Sequence, residues 1–189
     1  RLQQASAGLE RPLYEIVPPA PEGPRRGLAL LPPASPGDVF FDLEGWPLAA
    51  EPLEYLFGAV ELAGGRPEFR DWWAHDAAAE RRAFEALIDF VMARLAEDPA
   101  LHVYHYAPYE PTAVKRLAGR YATREEEVDQ LLRGGVFVDL YRAVRQGIRA
   151  SVESYSIKRL EPLYGFKREI DLRDAGTSIV EFETWLELG

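Results

Sequence analysis

The chain has 189 residues, 47% apolar and 28% charged, enough for one hydrophobic core of ordinary globular composition. It has no cysteine, which excludes disulfides, thiolate zinc sites and a cysteine nucleophile. No apolar run reaches the roughly 18 residues that span a bilayer, and a net charge of −9 argues against gripping nucleic acid by global electrostatics.

The cysteine-free composition suits a reducing cytoplasm, and a start at Arg1 reads as a piece of something longer. Residues 18–36 hold seven of the fifteen prolines, so residues 1–36 are expected to be a linker or extended N-terminal segment. The folded domain is expected over 37–189, with a first strand at 38–44 and a second at 54–62, where Tyr55 and Phe57 face the core. Gly64-Gly65 supplies a hairpin turn into a third strand at 67–72, and Trp72-Trp73 is expected beneath the following helix. Asp76 caps a helix over 77–96, with Phe84, Leu87, Ile88, Val91 and Leu95 at helical spacing.

A fourth strand, 101–106, leads to Pro108-Tyr109-Glu110-Pro111 and a helix with Val114, Leu117 and Tyr121 as its buried stripe. Thr123 with Glu126 reads as a capping box for a helix that ends at Gly134-Gly135. Val136-Phe137-Val138 is a short apolar strand, Leu140–Arg149 is helical, and Ser156–Tyr164 is a short helix closed by Gly165. Ser178 with Glu181 is a second capping box, opening a helix that continues to Gly189. Hairpin strands followed by alternating helices and strands give an α/β chain with a mixed sheet.

The most informative stretch is Val39-Phe40-Phe41-Asp42-Leu43-Glu44-Gly45. Strand side chains alternate, so Asp42 and Glu44 share one face about 7 Å apart, opposite Val39, Phe41 and Leu43. Two neighbouring carboxylates cost several kcal/mol in desolvation and repulsion unless positive charge sits between them. A divalent ion, or a pair about 3.5–4 Å apart, supplies that charge; the plain alternative is two exposed acids at a strand edge. An acid–base pair of the glycosidase kind fits poorly, because neighbours on one strand do not flank a sugar bond from opposite faces. Charge is also unevenly placed: residues 139–168 carry seven basic residues against three acids, a balance of +4 that leaves −13 elsewhere. That stretch is either a phosphate track or a solvated helical surface.

Phe41-Asp42-Leu43-Glu44-Gly45 followed by Tyr55-Leu56-Phe57-Gly58-Ala59-Val60 resembles the opening of RNase H-like exonucleases of the DnaQ/DEDD class. Tyr104-His105-Tyr106-Ala107-Pro108-Tyr109-Glu110 sits where that class carries His-Asn-x-x-x-Phe-Asp. Val138-Asp139-Leu140, Ser154–Glu161 and Tyr164-Gly165-Phe166 look like its later segments. The combination is similar to the predicted RNase H-like domain of bacterial RecB-like putative nucleases, over about 37–188.

The resemblance implies a three-layer α/β/α sandwich with a mixed, mostly five-stranded sheet. It implies Mg²⁺ or Mn²⁺, as a two-metal site, held by Asp42, Glu44 and Glu110, with Asp139 as a further catalytic carboxylate. Its third motif, Tyr-x-x-x-Asp or His-x-x-x-Asp, has no match here and is expected past residue 189, so the isolated chain is expected to be inactive or weak. It further implies 3′–5′ hydrolysis of DNA rather than RNA, in a larger repair protein with a RecB-like nuclease portion, with or without helicase segments.

Bland alternatives stay open beside these assignments. Glu110 is a ligand or an acid favoured at a helix N-terminus; His105 is a substrate contact or a satisfied strand-end histidine; Asp139 is a metal contact or a helix cap. Lys158 and Arg159 hold a nucleic-acid backbone or face solvent, and Tyr109, like Tyr104, Tyr106, Tyr141 and Tyr155, stacks on bases or packs in the core. The rival function is a non-catalytic nucleic-acid or protein interaction module on the same fold.

Overall fold

The computed structural model describes residues 11–19, 22–46, 52–167 and 180–185. In chain order the elements are β1 (Tyr14–Ile16), β2 (Val39–Trp46), β3 (Leu53–Ala63), β4 (Arg66–Trp73), α1 (Ala77–Glu97) and β5 (Val103–His105). They continue with α2 (Tyr109–Tyr121), α3 (Glu125–Arg133), β6 (Phe137–Asp139), α4 (Leu140–Gly147), β7 (Ile148–Ala150) and α5 (Ile157–Leu160). Residues 180–185 are also helical. The chain divides into two compact units, one from Arg1–Pro33 with Asp139–Ile170, the other from Ala34–Val138 with Asp171–Gly189.

In the larger unit a five-stranded sheet runs in the order β4-β3-β2-β5-β6. β2 pairs antiparallel with β3 and parallel with β5, and β3 pairs antiparallel with β4. This is the mixed α/β sheet that the sequence led us to expect. Alternation along β2 sends Val39, Phe41 and Leu43 into the core, while Phe40 and Asp42 are exposed. There they meet Phe57 and Ala59 of β3, Phe84, Leu87, Ile88 and Val91 of α1, and Val114 and Leu117 of α2. Asp76 caps α1, its carboxylate accepting from Ala79 N at 2.6 Å. A smaller cluster of Leu53, Tyr55 and Phe182 has Trp46 packed against it, with the Tyr55 and Phe182 rings stacked at 4.2 Å.

Three local expectations are corrected. The Thr123–Glu126 capping box does not form: Arg124, in left-handed backbone, stands at the N-cap of α3, and the Thr123 hydroxyl instead donates to Glu85 at 2.9 Å. A carboxylate across the packing draws the Thr123 hydroxyl away from the backbone N–H groups that it would cap. Trp72 packs against Phe90 of α1 as expected, but Trp73 is half exposed and stacks on Tyr55, because adjacent strand residues face opposite sides.

The third correction lies in the smaller unit. The helix from Leu140 stops at Gly147, and Ile148–Ala150 pairs with Tyr14–Ile16 as a two-stranded antiparallel ribbon. Gly147 packs against the backbone of 27–28, where a Cβ would come within 2.6 Å of Leu28 N. This contact and the long-range ribbon override the helical spacing. The short helix ending at Gly165 is seen, as α5 followed by a 3₁₀ turn over Glu161–Tyr164. Ser178 of the last expected capping box lies outside the described residues. No described helix is long and apolar enough to cross a membrane.

Candidate functional site

The acidic site grows from the end of β2. Asp42 pairs across the sheet with Gly58 and Glu44 with Leu56, so the position beside Asp42 on its own face carries no side chain. After Glu44 the register shifts through a bulge, and Gly45 pairs with Glu54. On the other side of β2, β5 ends at His105, and the chain turns through Ala107, held at a φ of 78°, into the first turn of α2. The second residue of that helix is Glu110, whose charge is favoured at a helix N-terminus although it is 3% exposed.

This turn brings Glu110 close to Asp42, 68 residues away in sequence. Two carboxyl groups held this close repel unless positive charge comes between them. Packing around Asp42, then the negative charges of Glu44 and Glu110, lift its pKa from 3.8 to about 6, although water reaches the side chain. His105 Nδ1 lies 2.6 Å from the Ala107 carbonyl, which only accepts, so that nitrogen carries the proton and donates. Glu110 Oε2 lies 3.5 Å from the same nitrogen and is a buried acceptor without a hydrogen bond. An orphaned buried carboxylate oxygen beside a second carboxylate is a place for a cation.

The donor set fits Mg²⁺ or Mn²⁺ chemically. All donors are carboxylate oxygens, and Mg²⁺ characteristically takes one or two carboxylates, keeping waters and substrate phosphate for its remaining positions. Among the described residues, no group of three or more His, Asp or Glu is gathered closely enough to hold a metal ion. The arrangement is a close carboxyl pair, Asp42 and Glu110, with Glu44 alongside.

Of the other residues singled out in the sequence, Tyr109 adjoins the site, but its hydroxyl donates to Glu54 at 2.9 Å, and burial and Glu54 push its pKa above the ordinary range. Asp139 closes β6 and caps α4, its Oδ1 accepting from Arg142 N at 3.1 Å. Arg159 pairs with Glu153 at 3.1 Å on the exposed surface of the smaller unit, and Lys158 is exposed beside it. Asp139, Lys158 and Arg159 all belong to that unit. Tyr155 is structural: its hydroxyl donates to Ile148 O and accepts from Ala150 N.

Two features were not read from the sequence. One is an open cavity of about 740 Å³ with Glu44 at its edge, lined chiefly by Tyr55, Trp73, His75, Phe182 and Trp185. The other is Glu54, 2% exposed, which accepts from Tyr109 and pairs with Arg116. A charged residue at the start of a mostly apolar strand was the available signal for Glu54. The cavity had none, because its residues come from distant segments.

The family model of the RNase H superfamily matches residues 39–189. The chain belongs to the RNase H superfamily. No curated protein and no solved structure matches it. The match begins with β2, the strand that carries both acids. For an RNase H-superfamily chain, a nuclease-type activity on nucleic acid is the activity that membership supports, and divalent metal is general among such nucleases. Carboxylates gathered where β2, β5 and α2 meet are the groups such chemistry uses.

Proposed function

We propose that this chain is the metal-dependent nuclease domain of a larger cytoplasmic DNA repair or processing protein. In this reading it hydrolyses phosphodiesters from the 3′ end of DNA, beside RecB-like nuclease and, where present, helicase segments. The observation that carries the proposal is the meeting of Asp42 with the buried, unsatisfied carboxylate of Glu110. Asp42, Glu44 and Glu110 would hold Mg²⁺ or Mn²⁺, which supplies charge neutralisation at phosphate and a nucleophilic water at neutral pH. The chain's own residues prepare that role. Asp42, whose pKa is raised, would give up its proton on serving as a ligand. His105, donating to Ala107 O, fixes the turn that delivers Glu110. Asp139, Lys158 and Arg159, a helix cap and two exposed cations of the smaller unit, are assigned support of the reaction and of the nucleic-acid backbone.

The rival reading is a non-catalytic nucleic-acid or protein interaction module, favoured by the lack of three converged ligands among the described residues. Mn²⁺ titration followed by electron paramagnetic resonance separates the two. Saturable binding at millimolar Mn²⁺ or tighter, lost in an Asp42→Ala/Glu44→Ala double variant, supports the nuclease; wild-type protein that binds no Mn²⁺ refutes it. Release from 3′-labelled single-stranded DNA, compared with RNA and with 5′-labelled DNA, then tests substrate and polarity.

A further inference from the structure

Gly45, which follows the second acid, has almost no room beside it. A Cβ there would meet Tyr109 Oη at 2.5 Å and Glu54 Oε2 at 2.6 Å. The bulge of β2 is therefore seated directly on the hydroxyl of half-exposed Tyr109 and the buried Glu54 carboxylate. Tyr109 is the first residue of α2 and Glu110 the second. Its hydroxyl donates to both Glu54 oxygens, at 2.9 and 3.0 Å, and Arg116 of the same helix pairs with Oε1. Glu54 is itself anchored at its backbone: its N–H donates to the Glu80 carboxylate, which also takes the Tyr121 hydroxyl and Arg120. The start of β3 is thus bolted to both ends of α2.

We infer that Glu54 and Tyr109 are positioning residues for the acidic site: their hydrogen bond clamps the first turn of α2 onto the bulge after Glu44, fixing Glu110 against Asp42. The inference rests on the metal reading above for its functional consequence, although the clamp itself is a property of the metal-free protein. Neither residue offers its polar atoms to the site. The Tyr109 hydroxyl is spent on Glu54, and the Glu54 carboxylate on Tyr109 and Arg116. They act through Glu110, as groups that orient a metal ligand do, and loss of such a group typically weakens metal binding about 10- to 100-fold.

The test uses Tyr109→Phe, which keeps the ring and removes only the donor, Glu54→Gln, and the double variant. Mn²⁺ affinity should fall about tenfold in each single variant. The double variant should be no weaker than the worse single one, because both substitutions break the same bond. Urea midpoints report stability separately, so a loss of affinity not tracked by the midpoints marks positioning rather than general loosening. In metal-free protein, amide exchange over 109–113 should quicken about tenfold in Tyr109→Phe while α1 stays protected. Wild-type binding with undiminished affinity in both variants overturns the inference. If the wild type binds no Mn²⁺, the metal reading fails by itself, and the exchange data still decide the clamp: unchanged exchange over 109–113 overturns it.

Discussion

Asp42→Asn should make the metal-free protein more stable at neutral pH, and the gain should vanish in acid. Packing and the neighbouring Glu44 and Glu110 raise the Asp42 pKa from 3.8 to about 6. A raised carboxyl pKa means that ionisation is harder in the folded state than in the unfolded one. The stabilising contribution of the protonated group is therefore complete below pH 3.8 and is lost as pH rises through about 6. At about 1.4 kcal/mol per pH unit, that displacement sets a ceiling of about 3 kcal/mol on the cost of ionising Asp42. The side chain is exposed, and screening by water lowers the expected cost to about 1 kcal/mol. Asparagine cannot ionise, and its amide donates to Glu110 at every pH, as the protonated acid does only in acid. Urea unfolding at about pH 8 should show the variant about 1 kcal/mol more stable, with the gap closing near pH 3.5. Mn²⁺ should reverse the order, stabilising the wild type and leaving the variant unmoved. A variant no more stable at pH 8, or a gap of equal size at both pH values, would refute the reasoning.

Other consequences follow from the packing. Glu80→Ala leaves Arg120, the Tyr121 hydroxyl and the Glu54 N–H without their buried acceptor, and should cost about 3 kcal/mol in urea unfolding, well beyond Glu80→Gln. Phe57→Ala, at a site with no exposure in the centre of β3, should cost about 3–5 kcal/mol by the same assay. Phe182→Ala removes the ring stacked on Tyr55 at 4.2 Å and should shift tryptophan emission to the red while costing about 2–4 kcal/mol. Arg133→Ala breaks only an exposed pair with Asp129 and should change stability by less than about 0.5 kcal/mol.

Much of the site was legible because it depends on short-range periodicity. The alternation of β2 alone places Asp42 and Glu44 on one face and Val39, Phe41 and Leu43 in the core. The 3.6-residue spacing of Phe84, Leu87, Ile88 and Val91 defines the buried stripe of α1, and Asp76 its start. Local rules failed where a distant partner offered a better bond. Thr123 left its cap for Glu85, and Ile148–Ala150 left a helix for a ribbon with Tyr14–Ile16.

The sequence by itself determined the strand that bears the acids, the helices that bury its other face and the absence of any thiol chemistry. Only the tertiary structure decided that Glu110 lies beside Asp42, that its Oε2 is an unsatisfied buried acceptor, and that Glu54 holds Tyr109 beside Gly45. The reason is physical. Periodicity fixes which way a side chain points along its own element, whereas a buried carboxylate's partners and charge depend on distances set by other elements packing against it.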